Sequence, residues 1–156
     1  MMSALSRILG RYLPAGLLCV GLAACGGPVE GPEQAIRAWV SEGEELAEAK
    51  DRRALVDMIS ESYTDARGNN HDDLENMFRV YFLRQNKVAL ITSIEELNIY
   101  GDTAAQMLLT VAMAGTNEGT LGFSADAYRF EMEFELEDDE WLLTSGRWGE
   151  LGEGLR

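Results

Sequence analysis

The chain has 156 residues, enough for one domain with a sizeable core, and its 27 acidic residues against 13 basic ones give a net charge of −14. A surface this acidic repels phosphate backbones, which excludes nucleic acid as a partner, and it also repels anionic lipid headgroups. Both cysteines lie within the first 25 residues and there is a single histidine, so the rest of the chain offers no thiolate site, no disulfide and no His/Cys cluster, and no metal or cofactor is expected.

Arg7 and Arg11 precede an apolar stretch, Leu13–Ala24, and no acidic residue comes before Cys25. That stretch is too short to span a bilayer but suits the apolar region of an export signal. It ends in Leu22-Ala23-Ala24-Cys25, which resembles the lipobox of bacterial lipoproteins. The resemblance implies removal of residues 1–24, with Cys19 among them, and acylation of Cys25 (palmitate or a similar chain), which makes the membrane a partner through that lipid. Two or three acyl chains anchor stably where one is marginal. Gly26 after the cysteine is similar to the pattern of lipoproteins sorted to the outer membrane. The expected location is therefore the periplasmic side of the outer membrane. Losing Arg7 and Arg11 leaves 11 basic residues against 27 acidic ones, a net charge of −16. That charge keeps a domain soluble. With no disulfide, the core alone must hold the fold.

Residues 25–32 form the lipidated cysteine and a Gly/Pro-rich tether, with a reach of about 20 Å when extended. The domain is expected over 33–150. A first helix starts at Pro32 or Glu33 and carries Ile36, Trp39, Val40, Gly43, Leu46 and Ala47 at helical spacing. Asp51 caps a second, with Leu55, Met58 and Ile59. The polar run from Tyr63 to Asn70 reads as a turn or short hairpin. Asp72 caps a third helix, Glu75 at the capping-box position, with Leu74, Met77, Phe78, Tyr81, Phe82 and Gln85 along one face.

Period-two alternation then takes over. Lys87–Tyr100 is a strand, Gly101-Asp102 a two-residue turn, and Thr103–Ala114 returns antiparallel. A Gly-rich loop covers 115 to about 125, with Leu121 and Phe123 as apolar anchors or a lid. In the next strand Tyr128, Phe130, Met132, Phe134 and Leu136 face one way, and Arg129, Glu131, Glu133, Glu135 and Glu137 the other. Asp138-Asp139 turns into a strand from Trp141 to Trp148, and the Gly-rich tail 151–156 is expected to fray.

Helices followed by an antiparallel meander make an α+β fold, with N-terminal helices packed on a curved antiparallel four-stranded sheet. With the Tyr63-Thr64-Asp65 turn between the second and third helices, this order resembles the cone-shaped nuclear transport factor 2 superfamily, shared with ketosteroid isomerases and polyketide cyclases. The resemblance implies an apolar pocket between helices and sheet. Because that fold hosts enzymes, binders and scaffolds, it does not choose among them.

Isomerase-type chemistry needs an in-facing carboxylate base with a tyrosine donor. Strict register through the first hairpin turns Glu96 inward as the candidate base. A β-bulge at Glu95-Glu96 instead turns Leu97 and Ile99 inward and leaves both acids in water. In the last hairpin, strict register carries Arg147 into the apolar row, where it would bind a carboxylate or phosphate. A break at Gly146 instead packs Trp148 inward and pairs Arg147 with surface acids. Tyr63, Tyr81 and Trp148 are further ligand-contact candidates, and core packing accounts for the two tyrosines equally well. His71 reads as a helix-start residue. The expected function is a non-catalytic module for a small apolar ligand or an envelope protein. The alternatives are a small isomerase or cyclase using Glu96 and an assembly role by dimerisation. Glu131, Glu133 and Glu135 oppose dimerisation through the sheet's outer face.

Overall fold

The structure is a computed structural model that describes residues 31–116 and 123–156. The expected export signal, Cys25, and Leu121 of the Gly-rich loop lie outside the described residues. Helix α1 (Pro32–Ala49) opens on proline after Gly31 and closes on Lys50 in the left-handed region at φ 57°. Asp51 then caps α2 (Arg52–Asp57) by accepting from the Ala54 amide. The Lys50 ammonium bonds the Gln85 carbonyl at 3.0 Å and so ties the end of α1 to the end of α3 (His71–Arg84). The cap of α3 is Asn70 rather than Asp72. Its side chain accepts from the Asp73 amide and the Asp73 carboxylate accepts from the Asn70 amide, a reciprocal box two residues upstream of the expected one.

Five strands form one sheet rather than the four expected: β1 (Ile59–Asp65), β2 (Lys87–Tyr100), β3 (Ala104–Thr116), β4 (Phe123–Glu137) and β5 (Glu140–Glu150), in the order β1-β5-β4-β3-β2. The extra strand is β1, which lies parallel to β5 with Ile59 beside Leu143. Its sequence Ile-Ser-Glu-Ser-Tyr-Thr-Asp hides it. Two buried residues, two exposed ones and then alternate burial make no clean period of two. Ile59 consequently belongs to this strand and not to α2, which ends at Asp57.

The inner face of the sheet carries the core. Ala105, Met107, Leu109 and Val111 on β3 lie opposite Phe134, Met132, Phe130 and Tyr128 on β4. Ile36 and Val40 of α1, Leu74 of α3, and Ile59 and Tyr63 of β1 close over them. Edge strand β2 is held by α1: Glu48 accepts from the Leu90 amide at 2.9 Å and Glu44 from the Thr92 hydroxyl at 2.8 Å. The first of these bonds occupies a backbone amide that an open edge would present to another strand.

Residues after Glu150 fold back on the sheet, although their glycines suggested fraying. The Leu151 amide donates to the Ala127 carbonyl at 2.8 Å, and Trp148 and Arg156 exchange backbone bonds at 3.2 and 3.3 Å. A β-carbon at Gly149 would stand 2.8 Å from the Gly154 carbonyl oxygen, so only glycine lets the tail lie there. Gly149→Ala is expected to cost about 1–3 kcal/mol by displacing backbone. Amide hydrogen exchange should then speed up at Trp148 and Arg156 while Met107 stays protected.

Candidate functional site

The first hairpin closes through three residues, Gly101 to Thr103, with Tyr100 opposite Ala104. The register then shifts between Ile94 and Glu96. On the turn side of this bulge Leu97 and Ile99 face Met107 and Ala105, and beyond it Leu90 and Ile94 face Met113 and Leu109. One extra residue therefore keeps both halves of β2 apolar inward. Glu96 is exposed, which corrects its place as an in-facing base. Glu95 lies on the outer face with Thr110 and Arg129, and the Thr110 hydroxyl bond holds its carboxyl below the usual range.

The last hairpin breaks at Thr144, two residues before Gly146. Phe130 consequently faces Trp148, and Arg147 faces Glu131. Arg147 is thus not in the apolar row. It is exposed on the outer face, ion-paired to Glu131, and that carboxylate raises its already high pKa. Tyr63 lies in the core, with its hydroxyl 3.3 Å from where a β-carbon on Gly146 would stand. Burial and then Asp65 push its pKa up to about 12 from 10.0. Unfolded Tyr63 releases its proton near 10 and folded Tyr63 near 12, so its contribution to stability is complete below pH 10 and is lost between pH 10 and 12. Tyr63→Phe is expected to flatten that alkaline loss in a denaturation series, and phenolate absorbance should show Tyr63 ionising last.

Tyr81 of α3 lies near Asp126 and Tyr128 of β4, and Trp148 of β5 lies beside Tyr128. Phe130 stacks on Trp148 at 6.2 Å, Tyr128 meets Trp148 edge-on at 5.9 Å, and Phe78, Phe82 and Tyr81 form a second run on α3. All six rings are half-buried. Asp126 precedes Tyr128 by two residues in the same in-facing row and lies opposite Met113. Burial, then Asp126, then Tyr128 raise the Tyr81 pKa, while burial, Asp126 and Glu150 raise that of Tyr128. Two carboxylates and two phenols therefore share this rim. Sequence reading passed over Asp126 by starting the row at Tyr128, although alternation carried back two residues reaches it. Arg67, from the turn after β1, sits 3.5 Å over the Trp148 ring and bonds the Trp148 carbonyl at 3.1 Å.

Two shallow depressions open on the opposite, outer face. One of ≈ 230 Å³ is lined by Thr64, Asp65, Glu131, Glu133, Ser145 and Arg147 among others, and one of ≈ 320 Å³ by Ala89, Ile91, Ala112 and Ala127 together with Met113, Ala114 and Asp126. His71 begins α3, with Nδ1 3.8 Å from Asp72 and 3.9 Å from Glu61. Among the described residues no group of three His, Cys, Asp or Glu is arranged to hold a metal, and no helix is long and apolar enough to cross a membrane.

This architecture is the nuclear transport factor 2-like fold. No protein-family model matches the sequence, and no curated protein does. Solved structures do match. A Novosphingobium aromaticivorans protein, provisionally named a scytalone dehydratase, aligns with TM-score 0.69 at 10% identity over 76% of this chain and 83% of its own. A ketosteroid isomerase-like protein from Erwinia carotovora gives 0.62 at 13% over 76% and 95%. A protein from Novosphingobium aromaticivorans described as NTF2-like with a cystatin-like fold gives 0.62 at 14% over 78% and 83%. Identities this low carry the fold alone.

Proposed function

We propose that this chain is a lipid-anchored protein of the periplasmic side of the outer membrane, held through Cys25, whose domain binds a small apolar ligand without transforming it. The ligand reading rests on the six half-buried rings from Phe78 to Trp148 at one end of the sheet's inner face. Rings that keep part of their surface accessible beside an apolar core suit a flat or greasy ligand. Relatives in fold named for isomerase and dehydratase activity supply the competing reading, with Asp126 taking the part expected of Glu96 and Tyr81 as the donor. A base for carbon acids needs a dry pocket, and Asp126 is exposed, which favours binding over proton abstraction. The anchor rests on Leu22-Ala23-Ala24-Cys25.

Native mass spectrometry of the full chain, extracted from bacterial membranes in non-ionic detergent, tests both parts. The expected species is residues 25–156 with acyl chains and one small-molecule adduct, the adduct being lost in Trp148→Ala. Cys25→Ser should stay uncleaved and unacylated. A lipidated but bare mass removes the ligand reading, and an unprocessed mass in the unsubstituted protein removes the anchor.

A further inference from the structure

We infer that the ligand taken at the aromatic rim is an organic cation, of the quaternary-ammonium or alkylguanidinium class, rather than a neutral or anionic apolar molecule. The inference rests on the binding reading above and adds the charge. Tyr128, Phe130 and Trp148 lie within 6.4 Å of one another, ring centre to ring centre. Their faces carry negative potential, and rings gathered this way attract a desolvated cation.

The protein itself shows that this surface takes one. The guanidinium of Arg67 lies 3.5 Å over Trp148, where it also donates to the Trp148 carbonyl at 3.1 Å. Asp126 and Glu150 flank Tyr128, one two residues before it on β4 and the other directly opposite it on β5. Among the described residues neither carboxylate makes an ion pair. On the outer face Glu95 and Glu131 are held by Arg129 and Arg147, whereas Glu133 and Glu135, like the rim pair, make no ion pair among the described residues, but no ring lies between them on that face. An anionic ligand would meet two like charges at the rim, and a neutral one would leave them without a partner.

The test compares phenyltrimethylammonium with its uncharged carbon isostere, tert-butylbenzene, by calorimetric titration of the full chain in non-ionic detergent. The cation is expected to bind about tenfold more tightly than the isostere. Asp126→Asn with Glu150→Gln should remove that advantage and leave the isostere's affinity unchanged. Both positions are exposed, so the double variant keeps its fold. Glu133→Gln with Glu135→Gln, on the outer face, should change nothing. Equal binding of the two probes overturns the cation inference and leaves the ligand reading standing. An equal loss from the outer-face pair also overturns it, because attraction to net charge would then account for the preference. Failure of both probes, together with a bare native mass, removes the ligand reading and the inference with it.

Discussion

Truncating Phe134 to alanine should remove about 3–5 kcal/mol of folding stability, the largest loss expected from a single side chain here. The ring is 1% exposed, three residues from the C-terminal end of β4. It lies opposite Ala105 on β3 and Leu143 on β5, and Trp39 of α1 meets it edge-on at 4.8 Å. Ala105 is too short to fill the space left behind, and Trp39 would lose the partner that orients its indole. Domains of this size hold about 5–15 kcal/mol in total, so roughly a fifth or more of the stability depends on this ring. Urea denaturation should show a lower midpoint with little change in slope. Phe134→Leu should recover much of the loss. Leu83→Ala on α3, where the side chain is 81% exposed, should stay within about 0.5 kcal/mol of the parent. A Phe134→Ala variant as stable as that control would falsify the packing of α1 onto the sheet.

Asp65→Ala should cost about 2–4 kcal/mol, since two backbone amides lose a charged acceptor. The side chain is 5% exposed. One carboxylate oxygen accepts from the Arg67 and Asn69 amides, both at 2.8 Å, and the other from the Asn69 side-chain amide at 2.7 Å. These bonds shape the turn that holds Arg67 over Trp148. The variant should therefore also change Trp148 fluorescence before any unfolding. Asp65→Asn should lose less, because it keeps one acceptor but sets an amide against the Asn69 amide. A shift in stability with no change at Trp148 would separate the turn from the aromatic rim and show that Arg67 is placed by something else.

Much of this was legible residue by residue. Pro32 and Asp51 mark helix starts where the structure has them, and the row from Tyr128 to Leu136 faces inward as its alternation requires. Strand β1 was not legible. Its burial comes from β5 on one side and from α2 and α3 packed against it, none of which its own seven residues encode. The candidate site was legible in part. Tyr81 and Trp148 do reach the aromatic end, Tyr63 belongs to the core, and Arg147 and Glu96 lie outside. Asp126 and Arg67 were missed, the first because the row was begun two residues too late and the second because a turn residue shows no periodicity.

By itself, then, the sequence determined the fold class, the starts of the first two helices and the apolar rows of β3 and β4, because caps, periodicity and composition are local properties of the chain. Only the tertiary structure decided which way Glu96 and Arg147 point. Each lies beyond a bulge, one between Ile94 and Glu96 and the other at Thr144, and one extra residue in a strand reverses every side chain after it. Where that residue is inserted is settled by which arrangement buries Leu97, Ile99 and Trp148 against partners far away in sequence, a condition that no single strand contains.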